Sequence, residues 1–445
     1  MQALGHIRRQ RIWSLFASMF MMLGALWMAP AQAELVIEIT QGSREAIPIA
    51  VVPFANRTAG ALPEDVSKIV ADDLQRTGQF APLDRDKMLS LPSSASEVFV
   101  RDWRLLGQRY LLIGSLEAAG AGQYKVRYEL YDVNSSQRIL GEVVSGSENS
   151  LRDLAHHVSD AVYEALTGLK GAFSTKIAYV TLQNLGNGAA RYQLEVADAD
   201  GRRSNVILKS DQPIMSPAWS PDGRRLAYVS FEGKRPAIYI QEVFGTGRRT
   251  KLTGFPGLNS APSWSPDGRR IAMALSKDGN AEIYVMDVQS KNLQRITNHW
   301  AIDTEPAWSP DGNSLVFTSD RGGGPQVYKV DMANPGNETR LTFEGKYNSR
   351  PRFSPDGKTL YFVHQRAGDF RLASLDLQSR QMDILSDTGL DESPSVAPNG
   401  TMLIYATRKG NQGVLAVVAV ETGAKYLLPS RSGEVREPAW SPFLN

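Results

Sequence analysis

Cysteine is absent from the 445 residues, so the chain has no disulfide bond and no thiol nucleophile. Histidine is scarce, with five in the whole chain, and no two of them have the spacing of a metal site. A Gly-x-Ser-x-Gly nucleophile elbow and a Walker phosphate loop are also missing. These absences argue against an enzyme. The sequence predicts no catalytic residue, no cofactor and no bound metal.

The first residues have the layout of a secretory signal peptide. Three arginines at positions 8, 9 and 11 precede an apolar run over residues 12–29, and the small-x-small triplet Ala31-Gln32-Ala33 follows. We predict a signal peptide over residues 1–33, cleaved between Ala33 and Glu34. The alternative is an uncleaved membrane anchor, since the apolar run is about long enough to span a bilayer.

Charge and hydropathy limit the partners of the mature chain. Loss of three arginines and no acidic residue changes the formal net charge from +2 to about −1. A nearly neutral protein has no bulk electrostatic attraction for nucleic acid, so we expect no nucleic-acid partner. No other stretch is long and apolar enough to predict a direct membrane span.

The carboxyl-terminal two thirds of the chain repeats itself. The element Pro-x-Trp-Ser-Pro-Asp-Gly begins at Pro217, and related copies begin at positions 262, 306, 351, 394 and 438. The spacings between these prolines are 45, 44, 45, 43 and 44 residues. A steady period of this length, with short runs of β-branched and aromatic residues between turn residues, is typical of a four-stranded propeller blade.

Counting the copies predicts how the ring closes. The last copy has no strands after it, whereas three strand-like runs beginning near residue 176 lack a preceding copy. Residues 437–441 should therefore supply the inner strand of the first blade. We predict a six-bladed β-propeller over residues 171–445, with blade 1 closed by the carboxyl-terminal strand.

The repeated Ser-Pro-Asp-Gly tetrapeptide has a local explanation. Proline at its second position and glycine at its fourth favour a type I turn. The preceding Trp or Phe fits a large apolar wedge between blades. We interpret Asp222, Asp267, Asp311 and Asp356 as turn residues, because a catalytic residue would be needed only once.

Residues 34–170 carry no repeat and predict a small α/β domain. A buried strand over 48–54 precedes a helix over 63–77, and residues 97–106 are interpreted as a second helix. Strands over 110–116, 124–130 and 138–144 follow. Ser150-x-x-Asp153 resembles a capping box at the start of a last helix. The predicted fold is thus a multidomain α/β plus all-β chain.

The remaining polar candidates have simple structural interpretations. His156 and His157 lie on the last predicted helix, and His299 and His364 lie in separate blades. Asp198-Ala-Asp200-Gly201 resembles the start of a calcium loop without its downstream glutamate, which favours a hairpin turn.

The loops before each Pro-x-Trp element differ between blades and mix acidic, amide and arginine groups. They span 257–261, 301–305, 347–350, 390–393 and 434–437. In a propeller such loops gather around one mouth of the central channel. Loop variation on a rigid scaffold indicates recognition. We therefore predict a binding surface here, with ordinary solvated loops as the alternative.

The whole mature chain resembles the TolB family, the periplasmic components of the Tol–Pal system of Gram-negative bacteria. The resemblance rests on segments 34–39 (ELVIEI), 48–54 (PIAVVPF) and 166–173 (LTGLKGAF), on six blades of the Trp-Ser-Pro-Asp-Gly type and on the closing Trp440-Ser-Pro-Phe443. It implies a periplasmic, non-catalytic protein that binds the lipoprotein Pal at the propeller mouth and TolA through the mature amino-terminal segment. It also implies a role in outer-membrane integrity and constriction during cell division.

The resemblance carries over to particular positions. It would place Leu258, Ala261 and Thr304 at the Pal contact. The mouth loops add further Pal-binding candidates: Asn259, Ser260, Asp303, Glu305, Asn348, Arg350, Glu392 and Glu437. The TolA segment would be movable and would consist of Glu34, Leu35, Val36, Ile37, Glu38, Ile39, Thr40 and Gln41. Other Tol–Pal or outer-membrane proteins remain open as additional partners.

Three classes of function stay open at this point. The first is a partner-binding propeller, which the loops and the resemblance favour. The second is a propeller that binds a small ligand or sugar polymer, which would need a closed apolar pocket in the channel. The third is an enzyme, which would need several of the isolated acidic residues and histidines to converge in the channel.

Overall fold

The computed structural model describes residues 37–38, 45–120, 122–429 and 433–444. The predicted signal peptide, its cleavage site at Ala33 and Glu34, and all of segment 34–41 except Ile37 and Glu38 therefore lie outside the described residues. Across the described ranges, no helix is both long and apolar enough to cross a membrane.

The amino-terminal domain is a mixed sheet with helices on both faces, preceded by the two-residue strand β1 (Ile37–Glu38). Its strands are β2 (Ile47–Val51), β3 (Ala55–Asn56), β4 (Phe80–Pro82), β5 (Tyr110–Gly120), β6 (Gln123–Asp132) and β7 (Gln137–Ser147). Its α-helices are α1 (Val66–Arg76), α2 (Val100–Leu105) and α3 (Leu151–Thr167). The strand order is β4-β2-β5-β6-β7, with β2 parallel to β4 and β5, and with β3 paired to β5.

The sheet has a hydrophobic core on each face, because successive side chains of a strand point to opposite faces. On one face Ile49 and Leu112 pack with Val70 of α1 and Val158 of α3. On the other face Trp103 of α2 covers residues that include Ala50, Val52, Leu111 and Ile113. Because β2 and the first part of β5, over residues 110–116, are buried on both faces, their sequences are mostly apolar rather than alternating.

Two local predictions for this domain need correction. The helix predicted over 97–106 exists but is shorter: α2 begins at Val100, because Val98 and Phe99 are extended and a 3₁₀ turn (Ala95–Glu97) precedes them. The capping box at α3 does not form. A 3₁₀ turn (Glu148–Ser150) leads into the helix, and the Ser150 hydroxyl turns back to donate to the Ser147 carbonyl at 2.8 Å.

The six predicted blades are confirmed in the described residues. Blade 1 contains β8 (Lys176–Gly186), β9 (Ala189–Asp198), β10 (Asn205–Ser210) and β31 (Glu434–Trp440); blade 2 contains β11 (Ile214–Trp219), β12 (Arg225–Ser230), β13 (Ala237–Glu242) and β14 (Arg249–Lys251); blade 3 contains β15 (Asn259–Trp264), β16 (Arg270–Leu275), β17 (Glu282–Asp287) and β18 (Leu293–Arg295). Blade 4 contains β19 (Asp303–Trp308), β20 (Ser314–Ser319), β21 (Gln326–Asp331) and β22 (Glu338–Arg340); blade 5 contains β23 (Asn348–Phe353), β24 (Thr359–Arg366), β25 (Asp369–Asp376) and β26 (Met382–Ile384); blade 6 contains β27 (Glu392–Val396), β28 (Met402–Lys409), β29 (Gln412–Ala419) and β30 (Lys425–Leu427).

The ring closes within blade 1, as predicted. Strand β31 pairs antiparallel with β8, from Glu434 opposite Leu182 to Trp440 opposite Ile177. The Trp440 indole nitrogen donates to Thr175 Oγ1 at 2.8 Å. The backbone ladder at the seam is continuous apart from one bulge. The same is true of the pairing between the inner strand and its neighbour in the other five blades.

The Ser-Pro-Asp-Gly segments are turns, and their aspartates serve the turn. The Gly223 N–H donates to the Ser220 carbonyl at 2.9 Å, and Asp222 accepts the Arg224 N–H at 3.0 Å. The same contacts recur at Asp267, Asp311 and Asp356. Gly223 has φ +67°, a conformation that favours glycine.

The tryptophan before the turn acts as the expected wedge between blades at Trp219 and Trp308. The Trp219 side chain packs in a core that includes residues of blades 1 and 2, and its indole nitrogen donates to the Ala439 carbonyl at 3.0 Å. Trp308 likewise donates to the Ser263 carbonyl of the preceding blade. These two wedges therefore tie one inner strand to the next.

The amino-terminal domain contacts the turn-side end of the propeller. Strands alternate in direction within a blade, so the Ser-Pro-Asp-Gly turns and the third-to-fourth strand turns share one end, opposite the mouth loops. At that end Asn399 donates to the Lys170 carbonyl at 3.0 Å, and Thr422 Oγ1 donates to the Thr77 carbonyl at 3.0 Å. The mouth loops consequently face away from this domain.

Candidate functional site

Six residues with left-handed backbone form a ring in the central channel, one from each inner strand. Each stands immediately before the first proline of its repeat. They are Ser216, Ala261, Glu305, Arg350, Ser393 and Glu437, with φ between 48° and 56°. All six line a channel cavity of about 390 Å³. The repeat thus sets a fixed position from which six different side chains reach one cavity.

A β-bulge explains the unusual backbone at these positions. In blade 2, Met215 pairs with Val229 and Ala218 with Ala227, so Ser216 and Pro217 together face a single residue. The same shift occurs in the other five inner strands. Proline has no N–H for the ladder, and the bulge accommodates it. A left-handed residue costs about 1–2 kcal/mol, and such strained positions cluster at functional sites.

An arginine bridges two acidic members of the ring. Arg350 Nε lies 3.0 Å from Glu305 Oε1, and its Nη1 lies 3.3 Å from Glu437 Oε2. The Arg350 N–H also donates to Glu305 Oε2 at 3.0 Å. Burial opposes the charge of Arg350, but Glu437 and Glu305 outweigh burial, so its pKa lies above the ordinary value. Ser216 and Ala261 leave the opposite side of the ring open.

Most of the predicted mouth residues are at least partly accessible. Ser260, Ala261, Thr304, Glu305, Arg350 and Glu437 are partly exposed along the channel, Glu392 is exposed, and Leu258 is partly buried against the core shared by blades 3 and 4. A second cavity of about 420 Å³ opens on the mouth side and includes Glu392 and Arg350. Their contacts with a partner remain predictions.

Three predicted contact residues have side chains turned inward. Asn259, Asp303 and Asn348 are each 0% exposed. Asn259 bonds to the backbone of Phe255 and Gly257, and Asn348 donates to Gln326 Oε1 at 2.8 Å. The sequence suggested direct contact because these residues are polar and lie in loops. In the structure their side chains are buried, and those of Asn259 and Asn348 stabilise the loops through hydrogen bonds.

Asp303 has an unusual electrostatic environment. Its Oδ2 accepts a bond from Arg321 at 2.7 Å, whereas its buried Oδ1 has no hydrogen-bond partner among the described residues. Arg321 also pairs with Glu338, at 2.9 Å. Burial is the largest effect and raises the pKa of Asp303 to about 6, although Ser319 and Arg321 oppose it.

Two ring members and several exposed apolar residues were not among the predicted contact residues. Ser216 and Ser393 could have been found, since every ring member directly precedes the first proline of a repeat. The mouth loops and the residues just before them also expose the large apolar side chains of Trp300, Ile302, Phe343 and Leu390; Trp300 is 77% exposed. Exposed apolar side chains beside a polar channel are typical of protein-binding surfaces.

A buried group of charged residues joins the amino-terminal domain to blade 1. We call Asp73, Arg76, Arg152, His156 and Asp200 the domain-contact cluster. His156 Nδ1 lies 2.7 Å from Asp73 Oδ2, Arg76 contacts Asp73, and Arg152 contacts Asp200. Asp200 lies in the β9–β10 turn, which confirms the hairpin interpretation. Its contact with the other domain was not visible in the sequence.

Two members of the cluster, together with the neighbouring Asp198, offer atoms that could bind a metal. His156, Asp198 and Asp200 place possible ligand atoms within 4.8 Å of one another. Lys176 Nζ lies 2.6 Å from Asp198, and Arg203 Nε lies 2.7 Å from it. Burial opposes the charge of Asp200, but Arg76, His156 and Arg152 outweigh burial and hold its pKa below the ordinary value. The cations already neutralise these carboxylates, so the chemistry favours an ion-pair network.

Comparison with known proteins agrees with this architecture. Residues 163–444 match the TolB beta propeller domain, and residues 35–139 match the TolB amino-terminal domain. A Tol-Pal system protein TolB of Hahella chejuensis is 60% identical over 93% of this chain and 96% of its own length. The relative of the same name in Pseudomonas aeruginosa is 52% identical over 95% of this chain and 97% of its own length.

A solved structure extends the likeness to three dimensions. The crystal structure of TolB from Acinetobacter baumannii is 44% identical, has a TM-score of 0.84 and covers 92% of this chain and 100% of its own. Likeness over nearly the full length includes both the amino-terminal domain and the ring. The chain belongs to the TolB family.

Proposed function

We propose that this chain is a periplasmic, non-catalytic component of the Tol–Pal system that binds Pal on the mouth face of the propeller. Membership of a family whose relatives are named Tol-Pal system proteins supports the system. The ring of six left-handed residues supports the face, because a repeated scaffold places different side chains around one opening. The exposed Trp300 and Phe343 would supply apolar contact area around that opening.

TolA would bind the mature amino-terminal segment, residues 34–41. Within it, Ile37 pairs with Tyr426 and Glu38 with Lys425, so β1 extends the outer edge of blade 6. An extended segment at the outer edge of a blade, as the two described residues are, is able to add as a strand to the sheet of a partner instead. The segment would thus exchange between the edge of blade 6 and TolA. Binding of Pal and TolA to one chain would link these two proteins, and the complex would support outer-membrane integrity and constriction during division.

Calorimetric titration with the soluble domain of Pal tests the first part. We expect wild type to bind and the Thr304→Arg, Ala261→Arg double variant to lose binding, since two long cationic side chains would obstruct the channel mouth. Asn313→Arg is a matched control, because Arg224 and Arg269 occupy the equivalent turn position in blades 2 and 3. Absence of binding by wild type, or equal loss in the control, would contradict the proposal.

Deletion of residues 34–42 tests the second part. TolA binding should disappear while Pal binding remains. Retained TolA binding would exclude this segment as the TolA site.

A further inference from the structure

We propose that the central channel binds a carboxylate group at Arg352. If the carboxylate belongs to a docked protein, this proposal rests on the proposed function. If the anion is free in solution, it does not. Arg352 lies on β23, two residues after Arg350, and lines the channel cavity of about 390 Å³.

Arg352 differs from Arg350 in its bonding. Arg350 has carboxylate partners on two sides, at Glu305 and Glu437. Within the described part of the chain, the Arg352 guanidinium has no carboxylate within 4.0 Å, and the one hydrogen bond of its side chain runs from Nη1 to the carbonyl of its neighbour Pro351 at 2.8 Å. A guanidinium group has five N–H donors, so most of those on Arg352 remain available to a ligand.

The environment of Arg352 favours a new anionic partner. Burial is the largest effect and lowers its pKa; Glu305 opposes that change and Arg350 adds to it. A partly desolvated cation gains more from a bidentate carboxylate than an exposed one does. Glu305 and Glu437 would repel an anion, but both carboxylates already face Arg350, which lies between them and partly neutralises them.

The cavity also fits the size and polarity of such a group. Its wall includes the hydroxyl-bearing residues Ser216, Ser260, Ser263 and Thr304, which can donate to carboxylate oxygens. Ser216 and Ala261 keep one side of the ring open, so an acidic side chain of a docked protein or a small free anion has room to enter. The ligand class is therefore a carboxylate, held by Arg352 with help from hydroxyl donors.

Nuclear magnetic resonance of the mature full chain, labelled at arginine side chains, tests the site directly. Sodium acetate should shift the Arg352 Nε–Hε signal saturably, with a dissociation constant on the order of 1–100 mM, and sodium chloride at equal ionic strength should not. Backbone amide signals of the residues that line the cavity, read in a uniformly labelled sample, should shift with the same saturation. Arg352→Gln should remove that saturable change, and Arg352→Lys should restore it more weakly. Arg436→Gln, on another inner strand, is the matched control and should leave it intact.

The outcomes separate this proposal from the proposed function. Equal shifts with chloride, no saturation, or an unchanged response in a folded Arg352→Gln variant would overturn the site. The acetate titration needs no partner, so absence of Pal binding would not affect it. If Arg352→Gln also weakens Pal binding by roughly 10-fold or more, the carboxylate comes from the docked protein. If Pal binding is unchanged while acetate still binds wild type, the site takes a free anion.

Discussion

Arg350 and Glu437 meet across the channel, with Nη1 3.3 Å from Oε2, although they belong to blades 5 and 1. The ion pair skips blade 6, whose ring member Ser393 is also bonded to Arg350. With Glu305 of blade 4 as its third partner, the Arg350 side chain joins the inner strands of four blades, in addition to the backbone ladders within each blade.

Replacing Arg350 with glutamine should lower the free energy of unfolding by about 2–3 kcal/mol, because it leaves two partly buried carboxylates without their cation. Urea unfolding followed by tryptophan fluorescence measures this. Arg436→Gln is the control: Arg436 is 45% exposed and paired with Glu434, so its loss should cost under about 1 kcal/mol. Equal effects of the two variants would contradict a bridging role for Arg350.

The contact between domains should be sensitive at Gly78. A Cβ there would lie 2.5 Å from the Ala424 Cβ, and Gly78 has φ +66°. We expect Gly78→Ala to cost about 2 kcal/mol or more, from backbone strain together with the clash. Gly107→Ala shares the strain at φ +71° but meets nothing within 4 Å, so it should cost about 1 kcal/mol. Calorimetric melting temperatures of both variants would settle the comparison; equal losses would exclude the contact as the cause.

His156 should make stability depend on pH above neutrality. Burial lowers its pKa, but Asp73 and Asp200 outweigh burial and Arg76, so the pKa lies above the ordinary 6.5. Its charge therefore contributes stability that is fully present below about pH 6.5 and is lost as the pH rises through the folded-state pKa. His156→Gln should flatten this part of the profile.

The measurement for His156 is urea unfolding of both proteins between pH 6 and pH 9. His157→Gln is a neighbouring control that leaves the domain-contact cluster untouched, because His157 is exposed. A wild-type profile that runs parallel to that of His156→Gln throughout this range would refute the prediction.

Asp303 should act in a lower range of pH. Because burial raises its pKa from 3.8 to about 6, the folded state binds its proton more tightly than the unfolded state. That contribution is present below about pH 4 and is lost as the pH rises through about 6. Asp303→Asn should therefore gain about 2–3 kcal/mol relative to wild type between pH 4 and pH 7. A stability difference that does not change over this interval would contradict the raised pKa.

Local sequence signals predicted the ring well because each blade is specified within about 45 residues. Pro217 and Gly223 mark a bulge and a turn that depend on neighbours in sequence. The seam also followed from counting, since the inner strand missing before Lys176 could come only from the last copy at Pro438. Four amino-terminal strands were found by the same local reasoning: the strand predicted over 48–54 ends earlier, at Val51, and the other three extend further than predicted. The short strands β3 and β4 were not predicted.

The predictions failed where distant residues decide the outcome. Asp73 and His156 are 83 positions apart, and no periodicity in the sequence indicates that the two ring nitrogens of His156 face Asp73 and Asp200. Asn259 and Asp303 were expected at the surface because they are polar loop residues, but the backbone folds their side chains inward. The capping box at Ser150 failed because a 3₁₀ turn occupies the place where the cap would begin.

The seam in blade 1 also determines when, during synthesis, the propeller can close. Strand β31 ends at Trp440 and is synthesised after β8, its partner some 250 positions earlier. A chain still emerging from the ribosome therefore has no closed channel and no Arg350–Glu437 bridge, however many blades it has completed. A premature stop anywhere before residue 434 would remove β31 and leave the ring open. Closure of the propeller therefore requires that translation has reached residue 440.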